Sequence, residues 1–168
     1  MIRQPKIVEI TDIIQETPTI KTFKFDWDMD LLGRPNPGEF VMVWNFKNEK
    51  PMSISQINDD ELAITVKNIG KFTSQLHDLK IGDEIGVRGS YGNGFNNSFN
   101  GKNIIAIGGG VGMAPINAIC SDLINKDNNV DEQLKQVIIN DSTNLQAMKL
   151  LIQQLLKLIL KEEYNKIY

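Results

Sequence analysis

The segment from Ile104 to Pro115, IIAIGGGVGMAP, constrains this chain most. The apolar run from Ile104 to Ile107 has the character of a buried strand; it breaks into Gly108, Gly109, Gly110 and Gly112, and helix-compatible sequence follows from Ala114. A strand, a tight turn and a helix start are expected in that order. Glycines serve such a turn twice, because they accept backbone angles closed to other residues and because the missing Cβ lets a ligand approach the main chain. The unpaired N–H groups of the first helical turn, with the positive end of the helix dipole, favour an anion such as a pyrophosphate; the dipole alone contributes about 0.3–1 kcal/mol. A turn shaped only for packing is the alternative.

Everything before this segment has a different period. Lys6 to Gln15 and Thr19 to Asp26 are rich in Ile, Val, Thr and Phe with Thr17-Pro18 between them, which predicts two strands and a turn. Gly33 to Gly38 is turn chemistry, and Phe40 to Trp44 is a compact apolar run suited to a strand buried on both faces. Lys50 to Ser55 follows, where Pro51 lacks a ladder donor and so predicts an edge or a strand start. Ser53 and Ser55 share a face there, either solvated or presented to a ligand. Leu62 to Lys67 is another strand, and a short helix is expected after Gly70, capped by Thr73 or Ser74 and running through Leu76 and Leu79. That helix start, with Lys71 beside it, is a second place suited to phosphate. The single histidine, His77, has no partner at ligand spacing and reads as a surface or packing residue. Gly82 to Gly89 predicts a turn and a strand, and Gly89 to Phe95 a glycine-spaced loop. The sum is six or so short strands, a small antiparallel barrel or sandwich over residues 1–99, and then an α/β segment over residues 100–168.

Composition narrows the function. At 168 residues the chain has room for one domain or two small lobes, and a formal charge of −3 with scattered lysines gives no stripe for nucleic acid. No leader pattern follows Met1 and no apolar run reaches membrane-spanning length, so a cytoplasmic location is expected. One cysteine, Cys120, excludes an internal disulfide or an all-cysteine metal site within these residues.

The tail breaks pattern, since residues 116–168 contain neither glycine nor proline. Asn140-Asp141-Ser142 is one plausible turn there, and Leu145, Met148, Ile152, Leu155, Leu156 and Ile159 trace a helical stripe suited to a core or a partner face.

Three segments in this order, Lys50-Pro51-Met52-Ser53, Gly70-Lys71-Phe72-Thr73 and Gly108 to Pro115, resemble the ferredoxin–NADP reductase superfamily. With Pro37 to Met42 and Gly89 to Phe95 added, the chain is similar, over about Lys6 to Asp127, to the electron-transfer subunits of NAD-dependent dihydroorotate dehydrogenases of type B. The resemblance implies an antiparallel, FAD-binding, ferredoxin reductase-like β-barrel followed by a shortened α/β nucleotide-binding lobe. It implies that Lys50 faces the FAD phosphates, with lysine replacing the family's arginine and losing the bidentate fork. It places Met52 at the flavin ring and Ser53 as a hydrogen-bonding group near the ring's reactive nitrogen, with Pro51 between them. Lys67, Gly70 and Thr73 are implied at a second flavin-phosphate loop, and Gly108, Gly109, Gly110, Gly112, Ala114 and Pro115 under the phosphates of NAD. No side chain is expected to act as a general acid, base or nucleophile, and no metal ligand is expected.

The implied partner is a catalytic dihydroorotate-oxidising subunit, in a heterotetramer in the family, and the implied role is passage of electrons from it to NAD⁺ in pyrimidine biosynthesis. The family's [2Fe–2S] cysteines, spaced C-x₄-C-x₂-C…C, have no counterpart in these residues. That absence and the composition break lead us to expect a truncated product or one with an altered reading frame after about Val130. A reductase subunit of a sulfide dehydrogenase, hydrogenase or ferredoxin–NADP system, and a non-catalytic flavin- or partner-binding fragment, are the alternative readings.

Overall fold

In a computed structural model the described residues are 4–95 and 108–126, with side chains described as far as residue 122. Six strands form a closed antiparallel barrel: β1 (Lys6–Thr17), β2 (Ile20–Asp26), β3 (Phe40–Trp44), β4 (Glu49–Ile57), β5 (Glu61–Lys67) and β6 (Glu84–Tyr91), hydrogen-bonded in the order β1-β2-β5-β4-β3-β6. Closure removes both free sheet edges. Of the two arrangements the sequence allows, barrel or sandwich, the barrel is the one formed. Two helices complete its surroundings: α1 (Met29–Leu32) after β2, and α2 (Lys71–His77) after β5. A 3₁₀ turn (Gly110–Gly112) leads directly into α3 (Met113–Lys126). Residues 104–107, the expected strand before the glycines, and the helical stripe of the tail lie outside the described residues. No described helix is long and apolar enough to cross a membrane.

Alternation explains the interior. Val8, Ile10, Phe23, Phe25, Val41, Val43, Ile54, Leu62, Ile64, Val66, Ile85 and Val87 are buried and packed together, each on the inward side of its strand. The strand at Phe40 to Trp44 is not buried on both faces: Val41 and Val43 are fully buried, whereas Phe40, Met42 and Trp44 line the outer wall half-buried. Nor is β4 an edge strand, since it pairs with both β3 and β5. Its proline is accommodated because Pro51 lies opposite Met42 on β3, while the ladder with β5 starts only at Ile54.

An ion pair straps the outer wall. Arg88 on β6 lies opposite Met42, and Glu49 on β4 lies opposite Trp44, so the guanidinium crosses β3 to meet the Glu49 carboxylate through two hydrogen bonds while also donating to the Tyr91 hydroxyl at 3.2 Å. Those Arg88 bonds hold the Glu49 carboxyl below the usual carboxylate range, against a smaller opposing effect of burial. A carboxylate depressed in the folded state stabilises above its unfolded pKa, and that contribution is lost as pH falls through the folded value. Glu49→Gln is therefore expected to cost about 1 kcal/mol or less at pH 7, the pair being partly solvated. The difference from the parent should close in urea titrations repeated below the ordinary carboxylate range.

Candidate functional site

Two glycine-bearing turns and one strand converge on the barrel. The first turn sits at the barrel end where β3 and β5 finish and β2 and β4 begin. There α2 is held from three sides: Lys21 Nζ donates to the His77 carbonyl at 2.8 Å, His77 Nε2 lies 2.9 Å from the Val66 carbonyl, and Asn45 Nδ2 donates to Gln75 Oε1 at 2.7 Å. His77 also meets the Phe23 ring edge-on, so it is a packing residue as expected. Gly70 occupies the N-cap position, and Thr73 contributes to the cap from the third helical position, while Ser74 does not cap. Thr73 reaches back, its Oγ1 accepting from the N–H groups of Ile69 and Gly70 at 3.0 Å each and donating to the Gly70 carbonyl at 2.9 Å. This fixes the loop while leaving its outside open: a Cβ built on Gly70 meets nothing within 4 Å. Lys71 is exposed beside it, and Lys67 closes β5 opposite Ile20.

The strand is the first half of β4. Lys50 and Ser53 are exposed, as is Pro51, and three residues of rise put Ser53 about 10 Å along the wall from Lys50. Met52 lies opposite Val41 and packs against the core, so it backs the strand from inside. Ser53 is paired with Phe40, whose ring leans on Tyr91 with centroids 5.8 Å apart. Beneath this row Glu39 is buried, bonded by the Ser90 hydroxyl and by Asn36 Nδ2, and thereby ties the turn before β3 to the end of β6. Phe40, Tyr91 and this carboxylate were not legible as site neighbours. β6 continues through Tyr91 where a loop was expected from Gly89, and that extension places the Tyr91 ring against Phe40, the residue paired with Ser53.

Ser55 points outward like Ser53 but is not presented to a ligand. Opposite β5, Ile54 pairs with Ile64 and Gln56 with Ala63, so Ser55 is the extra residue of a bulge. It is 1% exposed because α3 lies along this part of β4.

The second turn begins α3 at Met113, one residue before the expected start. Gly108 is tightly enclosed: a Cβ there would lie 2.6 Å from Met113 Sδ and 3.1 Å from the Gly112 carbonyl oxygen. Gly110 has φ +55°, which L side chains adopt at a cost, and a Cβ on either Gly110 or Gly112 would meet nothing within 4 Å. The inner side of the turn is thus packed and the outer side is open. Ala114 is buried and Pro115 half-buried behind it. The turn touches β5, the strand that ends in Lys67. Cys120 is half-buried on α3, and burial pushes its thiol up, the opposite of what a reactive thiolate needs. The structure therefore supplies open space over glycines at two turns, exposed cations at Lys50 and Lys71 and the exposed hydroxyl of Ser53, a set suited to holding a phosphate-bearing cofactor.

Comparisons with known proteins agree with this geometry. No family model matches the chain. Among solved structures, ferredoxin–NADP⁺ reductase from Plasmodium falciparum superposes with a TM-score of 0.63 at 22% identity, covering 77% of this chain and 55% of that one. An NADH-dependent reduced ferredoxin–NADP oxidoreductase gives 0.63 at 26% identity, covering 71% and 45%. The barrel is thus of the ferredoxin reductase class. Among curated proteins, the probable dihydroorotate dehydrogenase B (NAD⁺) electron transfer subunit of Methanothermobacter thermautotrophicus is 43% identical over 129 residues, which is 76% of this chain and 47% of the relative. That of Methanocella arvoryzae is 47% identical over 114 residues, 67% of this chain and 41% of the relative. Over the matched residues the chain belongs to the family of dihydroorotate dehydrogenase B electron transfer subunits, and it spans about half the length of the curated relatives it matches.

Proposed function

We propose that this chain holds FAD on the barrel and a nicotinamide dinucleotide on the glycine turn, and serves in passing electrons from a dihydroorotate-oxidising partner subunit to NAD⁺ in the cytoplasm. The observation behind this reading is that the exposed segment Lys50 to Ser53 lies on the strand that α3 packs against, and that the neighbouring β5 both leads into the loop at Gly70 and touches the turn at Gly110 to Gly112. We place the division of labour at about residue 100, with residues 1–99 for the flavin and residues 100–168 for the nucleotide.

The residues fit the groups. The open space over Gly70, Gly110 and Gly112 is where a side chain would block a phosphate. FAD, when bound, supplies the redox chemistry; the protein's part is position and electrostatics. Lys50, and with it Lys67 and Lys71, offsets pyrophosphate charge at the barrel end. Ser53 orients the flavin by hydrogen bonding, with Pro51 beside it and Met52 behind. The N-terminus of α3 and the main chain of Gly108 to Gly112, backed by Ala114 and Pro115, receive the phosphates of NAD. A [2Fe–2S] cluster on four thiolates does not fit, because the sequence has one cysteine.

Titration of the purified chain with FAD tests the reading. A shifted visible spectrum and quenched flavin fluorescence are expected, with Lys50→Glu weakening binding by about tenfold, as one reversed charge near a phosphate requires. Absence of FAD binding by the folded parent would overturn it.

A further inference from the structure

The helix behind the glycine turn is fastened to the flavin strand by a directed polar contact. Where the bulge removes Ser55 from the ladder with β5, its carbonyl accepts from Asn117 Nδ2 at 2.9 Å. Asn117 stands one turn above Met113, the first residue of α3. The contact around it is small or hydroxyl-bearing. Ala114 and Ala118 let the helix approach closely, with Ile119 buried alongside. Of the barrel, β4 is the strand that packs against α3, and beside Ser55 the outward sides of β5 and β2 carry Ala63, Thr65 and Thr22. The three hydroxyls are bonded in a row, Ser55 to Thr65 and Thr65 to Thr22 at 2.9 Å each, and the row ends where Thr22 donates to Glu16 Oε1 at 2.7 Å. Beside this row the strand meets the helix through the bulge carbonyl, and that bond ends two residues from Ser53.

From this arrangement we infer that Asn117 is a positioning residue: its amide, clamped on the bulge carbonyl, sets where the glycine turn stands relative to the exposed flavin strand. The inference rests on the proposed function for its consequence, though not for the clamp itself. A dinucleotide on the turn and a flavin on β4 meet productively only if the two supports are in register, and misplacement by an ångström is costly in such reactions. Van der Waals contact between small residues permits sliding; a hydrogen bond to a fixed carbonyl does not.

The test compares the parent with Asn117→Asp, which keeps the size and replaces the donor by an acceptor facing an acceptor, and with Asn117→Ala. Ser55→Ala is the counterpart, since it leaves the carbonyl in place and removes only a hydroxyl. Amide hydrogen exchange is read first, without added cofactor. The Asn117 variants should speed exchange of residues 109–118 about tenfold or more while β2 and β6 exchange as in the parent, whereas Ser55→Ala should leave residues 109–118 unchanged. In protein loaded with FAD, Asn117→Asp should then slow bleaching by NADH about tenfold while FAD affinity stays within twofold. Unchanged exchange in both Asn117 variants, or loosening of the turn by Ser55→Ala as great as theirs, would overturn the clamp. Failure of the parent to bind FAD or to be bleached would count against the proposed function, and the exchange rates alone would then decide whether Asn117 holds the turn.

Discussion

Trp27→Ala should lower the unfolding free energy by about 3–5 kcal/mol, the cost typical of emptying a buried Trp site. Trp27 is 1% exposed and belongs to the main core, just past the end of β2. Two further bonds fix it: its N–H donates to the Asp60 carbonyl at 2.8 Å and its indole Nε1 donates to the Gly33 carbonyl at 2.9 Å. Trp27 therefore joins the β4–β5 turn, through its main chain, to the C-terminal end of α1, through its indole, and the N-cap of that helix is the adjacent Asp28, accepting from the Leu31 N–H at 2.9 Å. For a domain with a typical total of about 5–15 kcal/mol, such a loss leaves little margin. Trp27→Phe separates the contributions: it keeps most of the volume and should give up chiefly the hydrogen bond, about 1–2 kcal/mol. Urea unfolding followed by circular dichroism, with Trp44 as the remaining indole fluorophore, reads both variants. A loss below about 1 kcal/mol for the alanine variant would contradict the packing described.

Gly112→Asp is expected to separate fold from function. A side chain at position 112 meets nothing within 4 Å, and a carboxylate at the start of α3 favours the helix by about 0.3–1 kcal/mol. The fold should be unharmed, and the thermal midpoint equal to or slightly above that of the parent. The same charge would occupy the place proposed for a dinucleotide phosphate, where like-charge repulsion across about 4 Å amounts to several kcal/mol at an effective dielectric of about 20. Affinity for NADH should fall by about a hundredfold, measured by fluorescence titration, while FAD binding at β4 is unchanged. Retained NADH affinity in the variant would remove the glycine turn from the nucleotide site. Gly108→Val would be a poorer probe, since it collides with Met113 and the Gly112 carbonyl and mixes misfolding with lost binding.

Most of the barrel was legible because its strands alternate, and because Thr17-Pro18, Gly33 to Gly38 and Gly82 mark the breaks. What was illegible came from tertiary pairing. Pro51 reads as an edge residue in any one-dimensional analysis, yet β5 begins to pair only at Ile54, three residues later. The strap from Arg88 to Glu49 joins residues that lie opposite Met42 and Trp44 on either side of β3, on two strands that the sequence does not show to be brought together. Ser53 and Ser55 look equivalent by periodicity, and α3, approaching from more than fifty positions downstream, gives them opposite fates. Of the candidate site, the exposed ends were visible as Lys50, Gly70 and the glycine turn. Asn117 carried no signal, because an asparagine in a helix acquires meaning only from the carbonyl it finds.

The hydroxyl row on the outside of the barrel also bears on the order of events during synthesis. All six strands lie within the first 91 residues, and β1 must wait for β6 before the cylinder closes. A row of serine and threonine hydroxyls is wettable. The cylinder is therefore complete in sequence before α3 is made, and the part of β4 that the later segment covers includes the polar Ser55.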